Sequence, residues 1–141
     1  MSYHMIETHL NGKVLNVEFG YATPGSRIII WSKVYPPPAN ELFTFQDAGN
    51  GYFHIASALD PNMVLDVEGG YDTAGARLIL YNKKYPPAPN QLFQWHGQAL
   101  RSALGNDMVL DVEGGHGNDG TGVIIYHHKN GYAANQCWRI A

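Results

Sequence analysis

The chain of 141 residues is built from three copies of one sequence unit. The seven residues from Val64 to Gly70 return unchanged as Val109 to Gly115, and an altered copy stands earlier from Val14 to Gly20. Aligned on this stretch, three segments match without a gap: residues 14–45, 64–95 and 109–140. Self-similarity at periods of 50 and 45 residues is typical of repeated supersecondary units. Any fold proposed for the chain must therefore accommodate three equivalent units.

The local pattern predicts that each unit is made of β-strands. Gly, Pro and Asn interrupt the chain roughly every 8–12 residues, and no segment keeps a 3.6-residue apolar period. We expect four short strands per copy, about twelve in all, which in the first copy are Tyr3–Leu10, Lys13–Glu18, Arg27–Trp31 and Leu42–Phe45. Three such units favour an all-β pseudo-threefold barrel, with one hairpin per copy closing its base, because closure removes exposed strand edges.

Length and charge limit the partners that the chain can have. A chain of this length suits one domain, 1–141, divided into repeats of about 1–47, 48–96 and 97–141. Charged residues make up 15%, the net charge is −3, and Lys and Arg form no run, so we expect no nucleic-acid partner. No apolar stretch approaches the roughly 20 residues of a membrane span, and residues 1–10 lack the pattern of a secretory signal. We therefore expect no membrane insertion, and either a cytoplasmic location or non-classical secretion.

Each copy closes on a related tripeptide. These are Glu41-Leu42-Phe43, Gln91-Leu92-Phe93 and Gln136-Cys137-Trp138. On these residues the whole chain resembles the ricin-B-like (R-type) lectins, whose β-trefoil consists of three units that end in a Gln-x-Trp signature. The resemblance implies an all-β β-trefoil with pseudo-threefold symmetry. The chain departs from the plant members in that valine stands where they often place a cysteine, at Val14, Val64 and Val109.

The resemblance also implies a shallow sugar site in each repeat. In this family the site uses an Asp, an aromatic ring about fifteen residues later, and an Asn-Gln pair near the end of the repeat. A carboxylate accepts hydroxyl hydrogens in charge-assisted bonds, and an aromatic face covers the C–H patch of galactose-type rings. The Gln is expected to donate to the Asp and hold it. The matching residues are Asp66, Ile79, Tyr81, Asn90 and Gln91 in repeat two, and Asp111, Ile124, Tyr126, Asn135 and Gln136 in repeat three.

Repeat one carries a third candidate site with exchanged chemistry. Its residues are Asn16, Trp31, Asn40 and Glu41. The amide and the carboxylate have changed places, which keeps their mutual hydrogen bond with donor and acceptor reversed. The sugar would then lose its charged acceptor, so binding at repeat one and its absence both stay open. A structural alternative exists for every site, since Asp beside Gly is often a turn former and a strand Tyr is often a core residue.

The prediction from the sequence is a lectin, not an enzyme, that uses neither metal nor cofactor. We expect it to bind galactose- or N-acetylgalactosamine-terminated glycans, glycoproteins or glycolipids through two or three sites, and to agglutinate cells as a hemagglutinin. A homodimer is an open alternative to the monomer. The main rival is a protein-binding module or protease inhibitor acting through the loops Tyr35-Pro36-Pro37-Pro38 and Tyr85-Pro86-Pro87-Ala88. A glycosidase is a third reading, because Glu18, Glu68 and Glu113 recur in phase.

Overall fold

A computed structural model describes residues 2–141 and contains, within them, twelve β-strands and six one-turn 3₁₀ helices. The predicted number and spacing of strands are confirmed. The strands are β1 (Ile6–Thr8), β2 (Val14–Val17), β3 (Ile28–Trp31), β4 (Phe43–Gly49), β5 (Tyr52–Ser57), β6 (Asp60–Val67), β7 (Leu78–Asn82), β8 (Phe93–His96), β9 (Ala99–Ser102), β10 (Met108–Val112), β11 (Val123–His127) and β12 (Trp138–Ile140). The 3₁₀ turns are Glu18–Gly20, Ala39–Glu41, Glu68–Gly70, Pro89–Gln91, Glu113–Gly115 and Ala134–Gln136. None of the helices in the described part of the chain is long and apolar enough to cross a membrane.

The strands form a barrel capped by three hairpins. Antiparallel pairing runs β12-β1-β2-β3 in one sheet and β11-β10-β9-β8-β5-β6-β7 in the other, with β4 on β5. A bridge between His4 and Phe43 connects the two sheets at the start of β4. The second and third strands of each repeat pair as hairpins, and these hairpins meet through bridges that join Arg27 to Ile79, Arg77 to Ile124 and Ile29 to Gly122. The fold is the predicted β-trefoil with pseudo-threefold symmetry.

The repeated residues fill a shared core. Leu15, Leu65 and Leu110 from the second strand of each repeat are fully buried. The aromatic residue of each closing tripeptide is buried beside them, with Phe43 and Phe93 at 0% and Trp138 at 1% exposure. The indole Nε1 of Trp138 donates to the carbonyl of Leu110 at 3.2 Å, so the larger ring keeps its polar atom satisfied. The closing aromatic residue is therefore a core residue in all three repeats.

A buried carboxylate joins the first strand to the last. Glu7 on β1 is 5% exposed and forms ion pairs with Lys33 and with Arg139 on β12. Burial alone would raise the pKa of Glu7, but the hydrogen bonds and charges of Lys33 and Arg139 outweigh it and hold the pKa below its ordinary value. A depressed folded-state pKa means that Glu7 contributes stability above the unfolded-state pKa, and that this contribution is lost as the pH falls through the folded-state pKa.

We expect Glu7→Gln to lower the free energy of unfolding at pH 7 by about 1–3 kcal/mol, because the buried acceptor loses its charge. The deficit should shrink as the pH falls below the ordinary value of about 4.5, where the unfolded parent chain binds a proton, and it should disappear below the depressed folded-state pKa of Glu7. Urea unfolding at pH 7 and at pH 3 measures both values. Glu68→Gln is the matched control, because the Glu68–Arg77 pair is half exposed and should contribute almost nothing. An equal deficit for Glu7→Gln at both pH values would contradict the assignment.

Candidate functional site

Each repeat carries one surface cleft at the same place in its hairpin. Cleft one is lined by Asn16, Trp31 and Asn40, cleft two by Asp66, Tyr81 and Asn90, and cleft three by Asp111, Tyr126 and Asn135. The acid or amide comes from the second strand of the repeat, the ring from the third, and the Asn from the 3₁₀ turn before the fourth. Their volumes are about 330, 400 and 540 Å³ in the order of the repeats. The fold thus brings the candidate site residues of each repeat together.

The two amides of the closing turn hold the aspartate of cleft two. Asn90 Nδ2 donates to Asp66 Oδ1 at 3.2 Å, and Gln91 Nε2 donates to Asp66 Oδ2 at 2.9 Å. Asn90 Nδ2 also donates to the carbonyl of Val67 at 3.1 Å, which ties the turn to the end of β6. Each carboxylate oxygen therefore has one amide partner and keeps lone pairs for a second donor such as a ligand hydroxyl.

Cleft three repeats this network with the same atoms. Asn135 Nδ2 donates to Asp111 Oδ1 at 3.2 Å, and Gln136 Nε2 donates to Asp111 Oδ2 at 3.0 Å. Gln136 Nε2 also reaches the carbonyl of His127 at 2.9 Å, and its Oε1 accepts from the backbone N–H of Lys129 at 3.0 Å. The predicted hydrogen bond from Gln to Asp is confirmed in both repeats.

Gln91 and Gln136 hold the aspartates from the buried side of the clefts. Gln91 and Gln136 are 0% and 1% exposed, whereas the neighbouring Asn residues line the clefts. A side chain that is buried on all sides cannot contact a sugar without a rearrangement. The structure therefore separates the two members of the predicted Asn-Gln pair: Asn90 and Asn135 face the cleft, and Gln91 and Gln136 fix the rotamer of the acid.

The aspartates are more buried than the strand pattern predicts. Alternation along the strand places Asp66 and Asp111 on the side away from Leu65 and Leu110, and that side was expected to be open. Both carboxylates are only 3% exposed, because the closing turn of the repeat packs over them. Alanine at either position would leave two buried amide donors without a partner, so we expect it to lower the stability of the fold.

Burial also changes the charge properties of the two aspartates. It raises the pKa of Asp66 and of Asp111 above the ordinary value, against the opposing hydrogen bonds of Gln91 and Gln136. The charge of Lys84 or Lys129 also opposes this rise. A carboxylate with little water around it gains strongly from hydroxyl donors supplied by a ligand.

The rings lie at the mouths of the clefts. Tyr81 and Tyr126 are 38% and 41% exposed, while Ile79 and Ile124 beneath them are 4% and 5% exposed. Strand register pairs Asp66 with Ile79 and Asp111 with Ile124, so the acid and the apolar floor are direct cross-strand neighbours. An acid beside an apolar floor and a half-exposed ring matches a ligand with hydroxyls at one edge and C–H groups on one face.

Two kinds of cleft residue were not predicted from the sequence. Lys84 and Lys129 line clefts two and three, and Lys84 Nζ stands 5.6 Å from the ring centroid of Tyr81. They recur three residues after each Tyr, a signal that the gapless alignment contains. Gly25 and Gly75 border the cleft of the following repeat, where their backbone N–H groups donate to Leu80 and Ile125. No spacing in the sequence shows this contribution, because it depends on how the three hairpins meet.

Repeat one keeps the network with donor and acceptor reversed, as predicted. Asn16 Nδ2 donates to Glu41 Oε2 at 2.9 Å, and Glu41 Oε1 accepts from the backbone N–H of Val34 at 3.2 Å. Asn40 Nδ2 donates to Asn16 Oδ1 at 3.3 Å. The charged group of the pair now lies at Glu41, which is 0% exposed, and the neutral amide of Asn16 takes the position of the acid.

Two of the glutamates that recur in phase form ion pairs with arginine. Glu18 and Glu68 pair with Arg27 and Arg77, each at 3.1 Å, which braces the loop after the second strand. Among the described residues no group of three or more His, Cys, Asp or Glu side chains could hold a metal ion.

Comparison with known proteins gives the family. The model of the ricin-type β-trefoil lectin domain-like family matches residues 2–81, which is more than half of the chain. The chain therefore belongs to the ricin-type β-trefoil lectin domain family. No curated protein sequence matches it. Membership of this family and the likeness to R-type lectin structures support carbohydrate binding as its general function.

Solved structures agree on the fold. The designed threefold-symmetric protein ThreeFoil is 29% identical with a TM-score of 0.86, and the match covers 98% of this chain and 96% of that one. The C-half of the earthworm R-type lectin, solved in complex with GalNAc, is 26% identical with a TM-score of 0.78 and coverages of 99% and 98%. The agglutinin from Abrus precatorius is 20% identical with a TM-score of 0.80, over 99% of this chain and 48% of that one, and shows the fold alone.

Proposed function

We propose that the protein binds glycans ending in galactose or N-acetylgalactosamine through clefts two and three, without catalysing a reaction. The observation that carries the proposal is the network in which Asn90 and Gln91 fix Asp66 beside Ile79 and Tyr81, and its exact repetition in cleft three. A carboxylate held by two amides accepts hydrogens from adjacent hydroxyls, and the half-exposed ring covers the C–H face that an axial hydroxyl leaves free on galactose-type rings.

The binding strength follows from the shape of the clefts. Each cleft is shallow and offers one ring, one acid, one amide and one Lys ammonium. Such a site is expected to hold a monosaccharide with a dissociation constant of about millimolar to high micromolar. Two such sites on one rigid barrel would bind a densely glycosylated surface far more tightly, since linked binding raises apparent affinity roughly 10² to 10⁴-fold when the geometry permits. We therefore propose a multivalent, agglutinating lectin.

A glycan array tests the specificity, and a metal chelator in the same experiment tests the mechanism. We expect retention on glycans with terminal galactose or N-acetylgalactosamine, with no loss in EDTA, because protein groups make every proposed contact. Glycans capped with glucose or mannose are the matched controls, since their hydroxyls present a different pattern to Asp66 and Asp111. Loss of binding in EDTA with recovery in calcium, or equal retention of the control glycans, would contradict the proposal.

A further inference from the structure

Cleft one differs from the other two at five positions. One is the exchange of Gln for Glu41, which is fully buried, and each of the other four changes removes charge or adds apolar surface. Where clefts two and three have an Asp, a Lys, a Tyr and a Gly, cleft one has Asn16, Val34, Trp31 and Phe19. All four side chains line the cleft. The side of cleft one that a ligand would meet is therefore less charged and more apolar than the same side of clefts two and three.

Phe19 stands in a backbone conformation that suits glycine. Its φ is +62° and its ψ is 3°, in the left-handed region, where the equivalent Gly69 and Gly114 have φ of +78° and +64°. An aromatic residue is strained there, and strain of this kind concentrates at ligand sites. The ring is 75% exposed, so burial in the core does not compensate for the strain. Neither the backbone nor the packing explains why a phenylalanine occupies this position.

The surroundings of Phe19 are arranged to admit its ring. A Cβ built on Gly69 would lie 2.8 Å from the ring of Tyr71, and one on Gly114 would lie 2.6 Å from the ring of His116. In repeat one the corresponding ring of Tyr21 stands aside, with its centroid 5.6 Å from that of Phe19. The ring of Phe19 therefore stands at the rim of cleft one, whereas a side chain at the equivalent Gly69 or Gly114 would clash with a neighbouring ring.

The ionisable groups at cleft one are already engaged. Glu18 at the rim pairs with Arg27 at 3.1 Å. Glu41 is fully buried and accepts hydrogen bonds from Asn16 and from the backbone N–H of Val34. A diol that needs a charged acceptor thus meets a neutral amide, while a flat apolar group meets Phe19, Trp31 and Val34.

We propose that cleft one binds neutral glycosides whose aglycone is aromatic, with the sugar on Trp31 and Asn40 and the aglycone against Phe19 and Val34. The volume of about 330 Å³ suits one sugar ring and one aromatic ring. The proposal rests on the proposed function in one respect, since it treats Trp31 and Asn40 as sugar contacts by analogy with Tyr81 and Asn90. It goes beyond the proposed function because it assigns a preference for aromatic aglycones to cleft one alone.

The test is an NMR titration of the ¹⁵N-labelled chain with phenyl β-D-galactopyranoside and, separately, with methyl β-D-galactopyranoside. The indole N–H of Trp31 and the side-chain amide of Asn40 report cleft one, and the side-chain amides of Asn90 and Asn135 report the others. At cleft one we expect the phenyl glycoside to bind at least about 10-fold more tightly than the methyl glycoside, which is about 1.4 kcal/mol. At clefts two and three the two ligands should bind alike.

Phe19→Gly and Phe19→Tyr sharpen the experiment. Glycine should abolish the preference for the phenyl glycoside at cleft one and also raise the thermal unfolding temperature, because it relieves the left-handed strain. Tyrosine should retain the preference. Equal binding of both glycosides at cleft one, N-acetylgalactosamine binding there as tightly as the phenyl glycoside, or an unchanged preference in Phe19→Gly would each overturn the proposal. Failure of the proposed function would appear elsewhere, as absent shifts at Asn90 and Asn135 with the methyl glycoside.

Discussion

Replacing Asp66 and Asp111 together by Asn is expected to abolish agglutination of cells that display terminal galactose. Each substitution removes a carboxylate that is proposed to accept hydrogen bonds from two sugar hydroxyls. The two substitutions together remove this acceptor from clefts two and three. Because crosslinking needs two occupied sites, the minimum agglutinating concentration should rise by at least about 100-fold. Agglutination titre against the parent measures this directly.

A fold-matched version of the variant comes from the chain itself. Repeat one shows that Asn and Glu can replace Asp and Gln with the hydrogen bond reversed. Asp66→Asn with Gln91→Glu, combined with the same exchange at Asp111 and Gln136, therefore keeps the buried amides paired while it moves the charge away from the sugar. This variant should also lose agglutination. Asp60→Asn, outside all three clefts, is the control and should behave as the parent.

If the exchanged variant is folded and agglutinates as well as the parent, the carboxylates are not the sugar acceptors. Circular dichroism and the unfolding midpoint establish that it is folded.

The single change Asp111→Asn is expected to lower the apparent affinity for a densely galactosylated surface roughly 10² to 10⁴-fold, although one galactose-type cleft remains intact. The remaining cleft two should bind free methyl galactoside as tightly as before, because its network shares no side chain with cleft three. Surface plasmon resonance at high and low ligand density separates the two quantities.

The density dependence decides the role of multivalency. At low ligand density the apparent affinities of the parent and of Asp111→Asn should differ by only about twofold, because the variant has lost one of two equal sites. A similar twofold difference at high density would show that the clefts act singly. Sedimentation velocity on both proteins is the control, because a dimer would pair two copies of cleft two and mask the effect.

The fold was predictable because its evidence repeats three times. Each weak signal, such as the closing aromatic residue or the Gly-rich turn after the second strand, recurs at the same offset, so chance can be excluded from the sequence alone. The hydrogen bond from Gln to Asp was also predictable, because the resemblance to R-type lectins implies it, and the exchange of Asn16 and Glu41 in repeat one keeps it with donor and acceptor reversed.

The depth of the site was not predictable from strand alternation. Alternation assigns a side chain to one face of a strand but does not tell whether a distant turn covers that face. The turn Pro89–Gln91 packs over Asp66 in this way, which makes the aspartate a buried group with a raised pKa. The strain at Phe19 had a signal in the sequence, since the gapless alignment places Phe19 opposite Gly69 and Gly114, but only the structure gives its φ of +62°.

Galactose binding by clefts two and three is tested most directly by an NMR titration of the ¹⁵N-labelled chain with methyl β-D-galactopyranoside. We expect saturable shifts, with millimolar to high-micromolar dissociation constants, in the side-chain amides of Asn90 and Asn135 and around Tyr81 and Tyr126. These shifts should vanish in the exchanged variant. Absence of shifts in both clefts, together with shifts confined to the exposed loops at Tyr35 and Tyr85, would show that clefts two and three do not bind galactose and would favour a loop-based binding module.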